Sequence, residues 1–164
     1  MLERKYLAHY IDAAFDTTYE GTNYTRIGKH LEEYAEELNP DVETSKNILG
    51  EQSVTHNGYE VQSDVDPFYY ESADDPLSAK LMTLAVERAT GDACKTSMVD
   101  VLLKPTASGG EPTVVWAYRE DVYVVPNSLG GDTSGVQIPF TVYKAGNRVK
   151  GTFDLTSKKF TVSE

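Results

Sequence analysis

The stretch "DDPLSAKLMTLAVERATGD" (74–92) decides how the rest of the chain is interpreted. Asp75 can cap a helix, and Pro76 suits the first helical position, where no backbone N–H is needed. The leucines that follow recur at helical spacing, and Gly91 provides a stop. The stretch therefore predicts an amphipathic helix near 76–90, whose apolar face should cover a sheet.

Strands are predicted on both sides of this helix. Some segments are rich in β-branched and aromatic residues, and others alternate between apolar and polar residues, which is typical of half-buried strands. The predicted strands are 6–12, 23–28, 56–70, 95–104, 113–125, 136–143, 148–155 and 159–162. Because 164 residues suit one domain, the sequence predicts a single, mainly β (α+β) domain over 1–164.

Two segments ahead of the helix are harder to interpret. "LEEYAEEL" (31–38) places its apolar residues at helical spacing, and the Asn-Pro pair after it would end a helix, so periodicity alone favours helix there. The chain that follows is polar and lacks a strand pattern, which predicts a long loop near 39–50. This loop closes on the apolar pair Ile48 and Leu49. Since long loops with apolar residues are commonly functional, the pair is a candidate contact.

Negative charge is concentrated in the first half of the chain. The net charge is −11, and residues 20–75 contain fourteen acidic and three basic residues, so the whole excess lies there. This balance argues against tight binding to nucleic acids or to anionic membranes. A solvated face is the ordinary interpretation, and the alternative is a surface that must not attract a polyanion. The candidate acids of this surface are Glu32, Glu33, Glu36, Glu37, Asp41 and Glu43.

The sequence contains no recognisable motif of a catalytic or cofactor site. Its three histidines share no metal-binding spacing, and the glycine-rich "GGDTSG" (130–135) lacks the lysine of a phosphate loop. A single cysteine excludes an intrachain disulfide. Neither a signal-peptide core nor an apolar run of membrane-spanning length is present. The sequence therefore predicts no cofactor, no metal site, no membrane association and no enzymatic activity.

The order of these segments resembles the tail tube (major tail) protein of long-tailed bacteriophages over about 6–162. "YTRIGKHLEEYAEELNPDVETSKNILGE" (24–51) resembles an early strand of that family followed by a long loop. "SVTHNGYEVQSDVDPFYY" (53–70) resembles its next strand, and 74–92 its helix. "AYREDVYVVPNSLGGDTSGVQIPFTVYKAGNRVKGTFD" (117–154) resembles its closing strands.

The resemblance implies a tail-tube-type β-sandwich or barrel with one flanking helix and a long loop. It implies a structural virion protein, made in the host cytoplasm, whose hexameric rings stack into the phage tail tube through which DNA is ejected. Its partners would be further copies, the tape measure protein and tail-end proteins, and DNA would pass without specific binding. The six acids become candidates for the lumen, Ile48 and Leu49 for an inter-subunit contact, and 31–38 becomes extended.

Two other interpretations remain open at this stage. One is a monomeric β-sandwich binding module that recognises a protein or carbohydrate through its tyrosines, of which the chain has 11. The other is an enzyme that uses paired carboxylates as acid and base. The candidate residues of such an enzyme are Glu32, Glu33, Glu36 and Glu37.

Overall fold

The predicted helix is present as α1, Pro76–Glu87, in the computed structural model, which describes residues 1–16, 18–19 and 24–163. The carboxylate of Asp75 accepts hydrogen bonds from the backbone N–H of Ser78 at 3.3 Å and from its hydroxyl at 2.6 Å. Arg88, in a left-handed conformation with φ 51°, ends the helix. The prediction of a helix near 76–90 is confirmed, with an end slightly earlier than expected.

The cap gives a direct test of what starts the helix. We expect Asp75→Ala to lower the free energy of unfolding by about 1 kcal/mol, because the first-turn N–H then loses its acceptor. Urea unfolding measures this loss. Asp74→Ala is the matched control, since Asp74 is exposed and adjacent, and its effect should stay within about 0.5 kcal/mol. Equal losses in the two variants would contradict a specific role of the cap.

The chain is otherwise built mainly of β-strands, as predicted. Two short 3-10 turns, at Arg4–Tyr6 and Gly91–Cys94, precede β1 and β6. The strands of the described residues are β1 Leu7–Asp12, β2 Tyr24–Ile27, β3 Pro40–Lys46, β4 Gln52–Tyr59, β5 Gln62–Val65, β6 Lys95–Lys104, β7 Thr113–Pro126, β8 Gly130–Asp132, β9 Gly135–Gln137, β10 Phe140–Lys144, β11 Val149–Asp154 and β12 Lys159–Val162. No helix among these residues is long and apolar enough to cross a membrane.

The long strand β7 organises the main sheet. One of its edges pairs with β6 along most of its length, and the other is divided between β11 near its start and β10 near its end. Two sheet paths therefore share β7, β6, β1 and β2: one continues through β11 to β12, and the other through β10 to β5. All of these pairings are antiparallel.

The path that ends in β5 curls back toward β2. Ile27 of β2 and Val65 of β5 lie at opposite ends of this path, yet they belong to one buried cluster. Between the two ends, the backbone of Glu37 pairs with that of Gln62 in β5. The curled sheet is thus closed by the chain that follows β2, and α1 covers the apolar cluster inside with Leu77 and Leu81. A second buried cluster, which includes Phe153 and Phe160, packs on the opposite face of the shared strands.

Four local predictions are corrected by the structure. Residues 31–38 form no helix and are mostly irregular, with a single backbone bridge at Glu37. The predicted long loop near 39–50 is β3 and a tight turn, paired with β4. The predicted strand 56–70 is broken between Tyr59 and Gln62. The predicted strand 136–143 is divided into β9 and β10 around Pro139, which has no N–H to donate to a strand ladder. The first two segments lie at the margin of the buried core, where hydrophobic pattern carries little information.

Candidate functional site

A two-stranded hairpin, β3 and β4, stands apart from the main sheet. Its strands pair with each other from Pro40↔Tyr59 to Lys46↔Gln52, with a bulge after Asp41. Within the described chain neither strand has another sheet partner. All of β3 is exposed, as is all of β4 except Gly58. With seven residues in β3, the hairpin extends roughly 24 Å at about 3.4 Å per residue.

Asn47 holds the turn of the hairpin in one conformation. Its side-chain oxygen accepts hydrogen bonds from the N–H groups of Leu49 at 2.9 Å and Glu51 at 3.0 Å. Its backbone N–H donates to the carbonyl of Glu51, and its backbone carbonyl accepts from Gly50. Gly50 has φ 81°, a conformation that favours glycine. The turn is therefore built from its own hydrogen bonds and needs no support from the rest of the domain.

The hairpin presents apolar side chains to solvent. At the turn, Ile48 is fully exposed, with 102% relative accessibility, and Leu49 retains 77%. On the strands, Val42 is 50% exposed and Val54 63%. An isolated two-stranded hairpin is marginally stable in water, and each large apolar side chain gains about 1.5–3 kcal/mol on burial. The hairpin thus exposes apolar side chains at its turn and on both strands.

Residues 28–39, here called the strap, connect β2 to the hairpin and close the curled sheet. Tyr34 packs against the inner apolar cluster, and its hydroxyl lies 2.8 Å from Oγ of Ser63. Glu37 and Gln62 exchange backbone hydrogen bonds of 2.8 and 3.1 Å. The N–H of Glu60 donates to the carbonyl of Leu38 at 3.1 Å. The strap therefore fixes the base of the hairpin to the domain.

Charged side chains occupy one end of the curled sheet's interior. In each of four strands, a charged or titratable residue lies two positions from a member of the inner apolar cluster, and so shares its face. The pairs are His9 with Ile11, Asp100 with Met98, Glu120 with Val122, and Lys144 with Val142. Glu36 of the strap and Arg148, which precedes β11, complete the group. We call these six residues the seam cluster, because they lie where the strap meets the curled sheet: His9, Glu36, Asp100, Glu120, Lys144 and Arg148.

The seam cluster is held by short contacts. Nδ1 of His9 lies 2.7 Å from Oδ1 of Asp100. Lys144 donates to Oδ2 of Asp100 at 3.1 Å and lies 3.3 Å from Oε1 of Glu36. Nη1 of Arg148 lies 3.5 Å from Oδ2 of Asp100. The Lys144 side chain is only 1% exposed and that of Asp100 4%, so these ions attract one another with little screening.

Burial and the neighbouring charges shift the acid–base properties of the cluster. Burial, together with the charge of Asp100, raises the pKa of Glu36 to about 7 against the opposing effect of Lys144. Burial alone would raise the pKa of Asp100, but the hydrogen bond with His9 and the charge of Lys144 lower it far below its usual value. Burial opposes the charge of Lys144, yet the two carboxylates raise its pKa above the ordinary value.

The arrangement of the seam cluster favours a structural ion network over a metal or catalytic site. Oxygen and nitrogen atoms of His9, Glu36 and Asp100 lie within 4.8 Å of one another, a spacing that could suit a cation. The ammonium of Lys144 already occupies the position between the two carboxylates. Shifted pKa values also occur in structural ion pairs, and Lys144 lies 3.3 Å from Glu36 and 3.1 Å from Asp100, as in such a pair.

The structure distributes the six candidate acids over three environments. Glu32 and Glu33 are exposed on the strap, and Glu37 is exposed where the strap meets β5. Asp41 and Glu43 are exposed on β3. Glu36 alone is directed into the seam cluster, with 16% of its side chain exposed. The candidate contact residues Ile48 and Leu49 lie together at the hairpin turn.

Sequence reasoning missed most of the seam cluster. Asp100 interrupts the apolar run "MVDVLL" (98–103) of a strand buried on both faces, and a lone carboxylate there requires a partner. That signal could have identified Asp100 and implied a buried cation. Nothing in the sequence distinguishes Glu36 from its neighbouring glutamates, because its burial depends on the path of the strap.

The chain matches no protein-family model and no curated protein. Among solved structures it is similar to the sheath/tube terminator, in the extended state, of the extracellular contractile injection system PVC. The identity is 8% and the TM-score 0.49, over 93% of this chain and 97% of that one. A likeness at this level assigns neither a family nor a function to the chain.

Proposed function

We propose that this chain is a structural subunit of a phage tail, which associates with further copies of itself into hexameric rings that stack into a tube for DNA ejection. The free-standing hairpin carries the proposal. Its turn is held by Asn47 and presents Ile48 and Leu49 to solvent, an arrangement that offers no advantage to an isolated chain. The sixfold ring, the tape measure and tail-end partners and the virion location come from the sequence resemblance to tail tube proteins.

The edges of the sheets support self-association. Among the described residues, β2 and β12 end the main path, and each strand of the hairpin pairs along one edge only. Unpaired strand edges invite pairing with another chain, and a closed ring removes such edges. Contacts between identical copies are therefore the most economical way to cover the hairpin and the edges together.

The charge of the chain suits passage of DNA without retention. The net charge is −11, and five of the six candidate acids are exposed on the strap and the hairpin. A surface of this sign repels phosphate, and the repulsion is focused when the surface lines a narrow channel. We propose that part of the acidic segment lines the bore of the tube.

Electron microscopy and sedimentation of the purified chain test the proposal. At high protein concentration, or with its tail partners, the chain should form rings of six copies and stacked tubes. A strictly monomeric chain under both conditions would contradict the proposal and favour the binding module. Only two tyrosines, Tyr59 and Tyr143, belong to the exposed set of the described residues, which gives such a module few aromatic side chains for sugar recognition.

Charge reversal tests the acidic bore. In assembled tubes, changing Glu32, Glu33 and Glu37 together to Lys should cause retention of a short DNA duplex that nuclease cannot digest. Retention should be strong near 50 mM salt and lost near 200 mM, because binding through 6–10 phosphates weakens by about 10³–10⁵ over that range. Glu36 is left unchanged because Lys at this position would face Lys144 inside the seam cluster.

The matched control reverses three exposed acids outside the segment 28–59. Asp74, Glu87 and Glu111 are exposed and give the same change in charge. Their reversal should bind duplex only in a nuclease-sensitive form, on the outer wall. If the strap variant also leaves its duplex sensitive to nuclease, its three acids face outward and other residues must line the bore.

A further inference from the structure

We propose that Glu36 is a proton-operated latch: its neutral carboxyl holds the strap against the curled sheet, and its ionisation releases the strap and with it the base of the hairpin. The latch is a property of the single chain. Its effect on assembly rests on the proposed function, whereas the latch itself can be observed in dispersed protein.

The geometry makes Glu36 the sensitive point of the strap. Its Oε1 atom is buried, and no hydrogen bond reaches it from the described part of the chain, although Lys144 lies 3.3 Å away. Other contacts between the strap and the sheet are the Tyr34–Ser63 contact, the backbone pair of Glu37 with Gln62, and a hydrogen bond of 3.0 Å from Arg4 to the carbonyl of Tyr34. Leu31 and Tyr34 also pack against the inner apolar cluster. Of the carboxylate, lysine and histidine side chains of the strap, Glu36 alone is not exposed, so a charge there acts directly on the contact between the strap and the sheet.

The groups around Glu36 determine how it responds to pH. Four of these groups belong to the sheet: His9 of β1, Asp100 of β6, Glu120 of β7 and Lys144 of β10. The others are Arg4 before β1, Arg148 before β11 and Tyr34 of the strap. Asp100 repels an ionised Glu36, and Lys144 attracts it. Lys144 is already shared with Asp100, so it neutralises only part of the additional charge. The neutral carboxyl can instead donate a hydrogen bond to Asp100.

The sign of the effect follows from the direction of the shift. The pKa of Glu36 is raised from 4.5 to about 7 when the strap is closed, so the closed form binds the proton more tightly than the open form. The latch is therefore strongest at pH values below about 4.5 and weakens as pH rises, until the carboxyl is ionised in both forms above about 7. Asp100, whose pKa is lowered, stays ionised throughout this window.

Movement at the latch reaches the hairpin through a short connection. Glu36 is followed by Glu37, which pairs with Gln62, and by Leu38 and Asn39, which hydrogen-bond to Glu60 beyond the end of β4. These contacts join both ends of the hairpin to the strap. When the strap opens, the hairpin loses its fixed orientation relative to the main sheet, while its own pairing and turn remain.

Hydrogen exchange on the full chain at low concentration tests the latch. The reporters are the backbone amides of Glu37 and Gln62, whose hydrogen bonds join the strap to β5. After correction for the intrinsic rate, their exchange should accelerate by up to about tenfold per pH unit between pH 5 and 7 and level off above 7, as expected when opening is linked to one proton. Glu36→Gln should abolish this dependence, and Glu33→Gln, on the exposed face of the strap, should retain it.

A second reporter requires no variant. Trp116 is the only tryptophan and lines a cleft of about 360 Å³ with Glu36, Ala35 and Leu38. Its emission in the wild-type chain should change with a midpoint near pH 7, the pKa of Glu36. The proposal would be overturned if the corrected exchange rates of Glu37 and Gln62 did not depend on pH. It would also be overturned if the dependence persisted in Glu36→Gln while the amides of β6 and β7 stayed protected, because another group would then cause the response.

Discussion

Ile48→Asp should prevent assembly at concentrations where the wild-type chain is fully assembled, without changing the stability of the monomer. The side chain is fully exposed at 102%, so the free energy of unfolding should change by less than about 0.5 kcal/mol. Burial of Ile48 against a neighbouring copy would contribute about 1.5–3 kcal/mol, and a charge there adds the cost of an unpaired ion. A loss of about 3 kcal/mol weakens each contact on the order of a hundredfold.

Sedimentation and electron microscopy measure the assembly, and urea unfolding measures the monomer. Ile48→Leu is the matched control, because it keeps an apolar side chain of equal size at the turn, and it should assemble normally. The structure already excludes a role of Ile48 in the monomer's own core. Normal assembly of Ile48→Asp would therefore show that the turn of the hairpin is not the contact, and it would remove the main support for the proposed function.

Lys144→Met should destabilise the domain by about 3–5 kcal/mol, because it leaves buried carboxylates without their central cation. Methionine keeps most of the length of lysine, so the loss reports charge more than packing. Only 1% of the Lys144 side chain is exposed, and it contacts both Asp100 and Glu36. Urea unfolding near pH 8 gives the value.

Lys95→Met provides the comparison for a more open ion pair. Lys95 is 33% exposed and lies 3.8 Å from Asp121, and such pairs typically contribute less than about 1 kcal/mol. Adding Asp100→Asn to Lys144→Met should recover part of the stability, since the buried charge is then removed on both sides. If Lys144→Met costs no more than Lys95→Met, the seam cluster is held by packing and not by its charges.

The parts of the fold with strong sequence signals were predicted well. α1 begins at Pro76, as the Asp75 cap predicted, and β6 has the predicted bounds, Lys95–Lys104. These elements bury one or both faces, so their apolar residues must follow the period of the helix or strand. The mainly β class follows from the same signal. The long-range pairing of β1 with β6 has no local signature, and periodicity could not supply it.

The hairpin and the strap were misjudged for a common physical reason. A strand whose faces pack against no other element of the domain does not need an apolar face, so the sequence of β3 resembles that of a polar loop. In the strap, Leu31 and Tyr34 show helical spacing by coincidence, because both contact the core from an irregular chain. The backbone pair between Glu37 and Gln62 fixes this irregular chain to β5, and tertiary contacts override local preference. Segments that do not pack a regular face on the core are thus the ones that local pattern describes least.

The distance along the chain between β1 and β6 has a consequence for how the protein is made. His9 and Asp100 lie 91 residues apart, so a ribosome adding about 5–20 residues per second needs roughly 5 to 18 s to supply β1 with β6, its second partner. The hairpin is local and can pair within about 10 μs of leaving the ribosome. Lys144 is synthesised later still, so the seam cluster is among the last parts of the described chain to form. A nascent chain therefore exposes the hairpin before the seam cluster is complete, and in the proposed assembly the hairpin can have a fixed orientation toward a neighbouring copy only after Lys144 has been synthesised.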